Sequence, residues 1–264
     1  MTMPETSALL RVESVVRHFG GLVAVDNVTF EIPRGCVVGL IGPNGAGKST
    51  MFDLITGVRP VSSGDIHFAG RRVTREPVHA RSPQGMARTF QIVRVFPGLN
   101  VLENVLLGLH PRFPDGILRS LLAGRAGVRQ EREARARAMH MLEFVGLAHR
   151  AGDRIGDLTL GQQRLVDVAR ALASDPTLLM LDEPAAGLND AETGNLAEML
   201  SGLRKGGLSM LIVEHDIDFI MNACDKIVVM DRGVKIADDI PDKVRADENV
   251  IAAYIGRRAA HAAH

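Results

Sequence analysis

Residues 42–50 read "GPNGAGKST", and the uncharged run "CVVGLI" (36–41) stands directly before them. Three glycines, a proline, a lysine and two hydroxyl side chains therefore follow what reads as a buried strand. The spacing fits G-x-x-x-x-G-K-[ST], running from Gly42 to Gly47, Lys48 and Ser49. Glycines let such a backbone curl so that successive N–H groups point inward at phosphate oxygens. The helix expected to begin here adds the positive end of its dipole. Gly42, Pro43, Asn44, Gly45, Ala46, Gly47, Lys48, Ser49 and Thr50 are thus candidates to cradle a nucleotide triphosphate. Lys48 supplies a point charge to its β- and γ-phosphates, and the Ser49 hydroxyl is placed to ligate Mg²⁺. Met51, Leu54 and Ile55 give the following segment helical spacing, and Gly57 marks its end.

A phosphate loop alone does not choose among kinases, GTPases and motor ATPases. A second stretch narrows the choice: "LLMLDEP" (178–184) is an apolar strand ending in adjacent carboxylates. Asp182 at the strand end can hold the Mg²⁺ shell. Glu183, one residue on, can polarise a water for in-line attack on the γ-phosphate. The pair indicates hydrolysis rather than transfer to a second substrate.

The rest of the chain is consistent with an α/β fold. "NVTFEI" (27–32) places Val28, Phe30 and Ile32 on one face, and "GDIHFAGRRV" (64–73) reads the same way, with Gly64 and Gly70 as turn residues. An antiparallel β layer near the N-terminus is expected. "SMLIVEH" (209–215) and "KIVVMDRG" (226–233) read as buried parallel strands, and "LAEMLSGL" (196–203) as a helix burying Leu196, Met199, Leu200 and Leu203. From about residue 91 to 175 helical spacing dominates. Its centre, "GRAGVRQEREARARAMHMLEFVGL" (124–147), interleaves arginine with Glu131, Glu133 and Glu143, which describes a solvated helix rather than an RNA-binding patch. The expectation is one 264-residue domain, with about 1–90 and 176–264 as the core and about 91–175 as an inserted helical subdomain.

Composition excludes several classes. Lys and Arg total 31, as do Asp and Glu, so no global field draws nucleic acid or acidic lipid. The N-terminal "MTMPETSALLRVE" lacks the basic region of a secretory signal. No run of ~18 apolar residues suggests a membrane span. Cys36 and Cys224 lie outside any metal-ligand spacing and read as buried core thiols.

With these motifs in place the chain resembles the nucleotide-binding subunits of ABC transporters over nearly its whole length. "LTLGQQR" (158–164) looks like the family signature, with Thr159 for the usual Ser, Leu160 for the first Gly, and Gly161 kept. The resemblance implies that Thr159, Gly161 and Gln162 form a second anion cradle at a helix N-terminus. In the family that cradle closes over the ATP held by the opposite subunit, giving a head-to-tail dimer. It further implies that Gln91 in "ARTFQ" senses γ-phosphate and Mg²⁺, that His215 contacts the γ-phosphate, and that Phe19 stacks on adenine. Asn189 stands where the family more often has Asp. The apolar stripe behind the signature is Leu165, Val168, Ala169 and Leu172.

Within the family, "ARTFQ", "VFPGLNVLENVLLG" (95–108), "LDEPAAGLN" (181–189) and "VIAAYIG" (250–256) look most like importers of branched-chain amino acids. Related subunits serve urea, amides and aromatic acids. The resemblance implies ATP and Mg²⁺ as cofactors, two membrane permease subunits, a second ATPase subunit, and a solute-binding protein met only indirectly. It places the chain peripherally on the cytoplasmic face of the membrane, with no nucleic-acid partner. A soluble ABC ATPase acting on nucleic acid or ribosomes is the rival reading. One phosphate loop, no heptad run and no cysteine cluster weigh against it.

Overall fold

A computed structural model describes residues 8–89, 95–112 and 124–261. In chain order the strands are β1 (Ala8–Phe19), β2 (Leu22–Pro33), β3 (Val37–Ile41), β4 (Ser63–Phe68), β5 (Arg71–Arg72), β6 (Met86–Arg88), β7 (Leu178–Asp182), β8 (Ser209–Val213), β9 (Lys226–Asp231) and β10 (Val234–Asp239). The helices are α1 (Lys48–Thr56), α2 (Val78–Arg81), α3 (Val101–Leu106), α4 (Gly124–Phe144), α5 (Leu160–Ala173), α6 (Asp190–Lys205), α7 (Ile217–Ala223), α8 (Pro241–Ala246) and α9 (Glu248–His261). The chain divides into two compact units, one of residues 1–81 with 200–264 and one of residues 82–199.

The first unit holds the expected antiparallel layer, in the order β2-β1-β4-β5. Its apolar face pairs Val12 with Phe30 and Val15 with Val28, a bulge at Ser14 interrupting the period-2 alternation of β1, while Leu10 faces Phe68 across the other edge. All six are 2% exposed or less, so the apolar face is wholly removed from water. The same unit contains β3, flanked by β8 and β9 in parallel pairing. Every residue of β3 and β8 is buried, as continuous apolar strands require. β10 was not anticipated. It returns antiparallel to β9 through Arg232 and Gly233, both at positive φ, which makes "DRG" a tight hairpin turn.

In the second unit β6 and β7 pair in parallel. Helices α3, α4 and α5 enclose a core that includes Val101, Val105, Ala138, Leu142, Ile155, Val166 and Ala169. α4 reads as expected: Ala134, Ala138 and Leu142 recur every four residues on its buried side. Arg129–Glu133 and Arg135–Glu131 pair at i,i+4 on its exposed one. The stripe on α5 is broader than expected. Val168, Ala169 and Leu172 are buried, Leu165 is only half-buried, and Val166 and Ala173 are buried as well. Asn104 is fully buried and ties down the preceding turn, accepting from the Phe96 N–H and donating to three carbonyls.

Two smaller expectations need correction. Cys224 is buried, but Cys36 is half-exposed, because it stands at the entry to β3 before the buried run begins. On α6, Leu196 and Leu200 are buried, whereas Met199 and Leu203 are only half-buried.

Candidate functional site

In the first unit the site is built at the C-terminal end of parallel strands. Leu40 of β3 lies beside Val213 of β8, so both strands deliver their next residues to the same edge. From β3 the chain enters the glycine loop. Gly42 has φ 151°, and a Cβ there would sit 2.0 Å from the Met230 carbonyl oxygen, so only glycine fits. Gly47, also at positive φ, caps α1, which ends at Gly57 with a backbone bond to the Leu54 carbonyl. Lys48 lies over the loop, its Nζ donating to the carbonyls of Gly42 (2.7 Å) and Pro43 (3.1 Å). Asn44, Gly45 and Ser49 are exposed, while Pro43, Ala46 and Lys48 are buried. The loop thus leaves Asn44, Gly45 and the hydroxyl-bearing Ser49 exposed around a nearly buried ammonium, while the Ala46 N–H bonds within the loop to the Pro43 carbonyl.

From β8 the chain reaches Glu214 and His215. Glu214 is 1% exposed, and its Oε2 accepts the His215 N–H at 3.1 Å and lies 3.4 Å from His215 Nδ1. The imidazole itself is open to solvent, its side chain 64% exposed. Asp216 then caps α7, accepting from the Phe219 N–H. Phe19, at the end of β1, is half-buried, and two guanidinium carbons, of Arg17 and Arg59, lie 4.7 and 5.3 Å from its ring centroid. Tyr254 of α9 lies beside the Gly42 backbone. Burial pushes its phenol up to about 12, the nearby Gly42 backbone pulling the other way, and the hydroxyl has no hydrogen-bond partner among the described residues.

In the second unit β7 carries the carboxylates. Asp182 is 5% exposed, and its N–H donates to the Thr89 hydroxyl, while the Thr89 N–H donates to the Met180 carbonyl. Glu183 is half-buried and holds a left-handed backbone, φ 49°, unusual for a side chain with a Cβ. Its carbonyl accepts from the Arg164 guanidinium at 2.7 Å and from the Ala186 N–H at 3.2 Å. A small pocket at this point is lined by Thr89, Arg164, Asp167, Val168, Asp182 and Pro184.

The signature residues lie in the same unit. Thr159 is the N-cap of α5 and forms a capping box with Gln162: its hydroxyl accepts the Gln162 N–H, and the Gln162 side chain accepts the Thr159 N–H. Gly161 is close-packed, since a Cβ there would meet the Leu188 side chain at 2.6 Å. Asn189 and Glu192 form a second reciprocal pair at the start of α6. Asparagine therefore serves the helix start as well as aspartate would. Leu160 stands 54% exposed beside the capping box. Gln91 lies outside the described residues, as does most of the stretch from Gly108 to Gly127.

Taken separately, the Ser49 hydroxyl in the first unit and the Asp182 carboxylate in the second are each hard oxygen donors of the kind Mg²⁺ takes. Among the described residues no group of three or more His, Cys, Asp or Glu could hold a metal.

A glycine-cradled lysine and a strand-end Asp-Glu pair define a phosphate-loop ATPase of the ATP-binding cassette class. The model of the ABC transporter family matches residues 25–186, and the chain belongs to that family. It is 40% identical over 249 residues to the high-affinity branched-chain amino acid transport ATP-binding protein BraF of Pseudomonas aeruginosa, covering 94% of this chain and 98% of that one. The LivG protein of Escherichia coli K12, described in the same words, is 39% identical over the same coverage. Among solved structures, the ADP conformation of MJ1267, an ATP-binding cassette of an ABC transporter, superposes with a TM-score of 0.81 at 32% identity. That match covers 97% of this chain and all of the other.

Four residues around these motifs had not been singled out. Arg164 carried a readable signal: it lies four residues before Val168 on an otherwise apolar helical stripe, where a cation needs an acceptor. Thr89 and Glu214 gave none, being polar residues beside motifs. Arg81 was equally silent in "HARSP", yet it is 2% exposed and donates to the carbonyls of Leu54, Ile55, Thr74 and Glu76. It thereby closes the C-terminal end of α1.

Proposed function

We propose that this chain hydrolyses Mg-ATP to drive a membrane importer of branched-chain amino acids. The observation that carries the solute class is the near-complete overlap, at 40% identity, with BraF. In this reading Lys48 and the loop amides hold the β- and γ-phosphates, and Phe19 stacks on adenine. Ser49, Asp182 and Gln91 serve the Mg²⁺ shell, Glu183 activates the attacking water, and His215 reaches the γ-phosphate. Mg²⁺, when bound, draws charge off the phosphate oxygens. Glu214, buried beneath His215, lies 3.4 Å from its Nδ1 and is placed to hold the ring.

The signature residues Thr159, Gly161 and Gln162 offer their helix N-terminus to a triphosphate held by a second ATPase subunit, either this chain or a paralogue. ATP then joins the pair and hydrolysis releases it, a two-state switch governed by γ-phosphate contacts. Among the described residues no helix is long and apolar enough to cross a membrane. By likeness to the transport ATP-binding proteins, two permease subunits supply the path, a solute-binding protein supplies the cargo, and this chain sits on the cytoplasmic face of the permeases.

The deciding experiment is uptake of labelled leucine into cells with and without this subunit, with urea and benzoate as competing solutes. Leucine uptake that persists unchanged in its absence removes the proposal.

A further inference from the structure

Helix α5 carries two features that bear on different events. Its N-terminus is the Thr159–Gln162 capping box. Little more than one turn further on, Arg164 leaves the helix to bond the Glu183 carbonyl at 2.7 Å. Glu183 is held at φ 49°, a conformation that costs a β-carbon-bearing residue on the order of 1 kcal/mol or more and persists only where neighbours enforce it. Two peptide units upstream, the Asp182 N–H is fixed by the Thr89 hydroxyl. The strand end is thus clamped by Thr89 from β6's continuation and by Arg164 from α5.

Arg164 differs from an arginine that only builds the fold. Arg81 places its guanidinium against four carbonyls. Arg164 has a single acceptor, and its Nε is buried with no partner among the described residues.

We propose that Arg164 is a positioning residue for Glu183: through the Glu183 carbonyl it sets the direction in which the carboxylate leaves the strand end. Because it rides on the signature helix, it also makes that direction depend on where the helix N-terminus sits. Engagement of Thr159 and Gly161 is thereby transmitted to the carboxylate of the same chain. The inference rests on the reading of Glu183 as the hydrolytic base.

The test is a double-mutant cycle on the full-length purified chain, with Arg164→Met, Glu183→Gln and the pair. Turnover of saturating Mg-ATP and the Kd for a fluorescent ATP analogue are measured side by side. Arg164→Met is expected to lower kcat about tenfold while Kd moves less than about twofold, and Arg164→Lys to recover most of the rate. In the Glu183→Gln background Arg164→Met should cause no further fall. Losses that add in full, or a kcat for Arg164→Met within about twofold of wild type while Glu183→Gln is slow, overturn the role of Arg164 alone. A wild-type rate for Glu183→Gln removes the base assignment and the inference with it. Should methionine at 164 prevent folding, Arg164→Gln provides the same comparison.

Discussion

Thr159 and Gln162 satisfy each other: the threonine hydroxyl accepts the glutamine N–H at 3.2 Å, and the glutamine side chain accepts the threonine N–H at 3.1 Å. The signature start is therefore a built helix cap as well as a candidate anion cradle. Two of the orphan donors of α5 are used and the rest stay available. Thr159→Ala should lower stability by about 1 kcal/mol, whereas Thr159→Ser should leave it nearly unchanged. Urea midpoints of the three proteins give the comparison, and equal midpoints for alanine and threonine would show that the cap contributes nothing.

The loop glycines are not equivalent. At Gly42 a Cβ would meet the Met230 carbonyl at 2.0 Å, and at Gly45 it would meet nothing within 4 Å. Backbone cannot move aside as a side chain can. Gly42→Ala should abolish nucleotide binding or folding. Gly45→Ala, at φ 75°, should cost only the ~1 kcal/mol of left-handed strain and retain most binding. Thermal melts with and without ATP distinguish them, and similar behaviour in the two variants would count against the close packing at Gly42.

The proposed division of labour between Lys48 and Glu183 is tested by separating binding from turnover. Lys48→Ala should weaken ATP binding, since it removes the one ammonium lying over the loop carbonyls. Glu183→Gln should bind normally and hydrolyse slowly, by about a hundredfold or more, so that an ATP-dependent dimer accumulates. Gel filtration with ATP reads the dimer. A Glu183→Gln protein that turns over at the wild-type rate would end its assignment as base.

Much of this fold was legible because its signals are local. The buried face of β2 follows from alternation that places Val28, Phe30 and Ile32 on one side. Helix α4 follows from alanines and Leu142 at four-residue spacing against paired charges. The α1 boundaries follow from Gly47 and Gly57. What stayed hidden depends on long-range contacts. Thr89 and Asp182 are 93 residues apart in sequence, and nothing near Thr89 announces that its hydroxyl will receive the Asp182 N–H. Arg81 reaches 27 residues back to the Leu54 carbonyl from a segment with no pattern. The left-handed conformation of Glu183 is invisible to residue-type reasoning, because glutamate rarely adopts it. β10 was missed for another reason: its residues are half-exposed and mixed in polarity, so period-2 alternation is blurred.

Tyr254 connects the last helix to the phosphate loop and gives stability a pH dependence that can be measured. Burial raises its phenol from 10 to about 12 beside the Gly42 backbone. Between those two values the unfolded chain releases the proton while the folded chain keeps it, so the folded state binds more protons and stability falls as pH rises. The stabilisation is fully present below pH 10 and drains away through about 12, amounting at most to about 3 kcal/mol. Cys224, its thiol pushed up by burial, acts in the same direction from a lower starting value. Tyr254→Phe keeps the packed ring and removes the ionisation. It should leave stability near pH 8 almost unchanged and flatten the decline between pH 10 and 12. Urea midpoints at pH 8, 10 and 11.5 suffice. An identical alkaline slope in the phenylalanine variant would show that the phenol is as free to ionise in the folded chain as in the unfolded one.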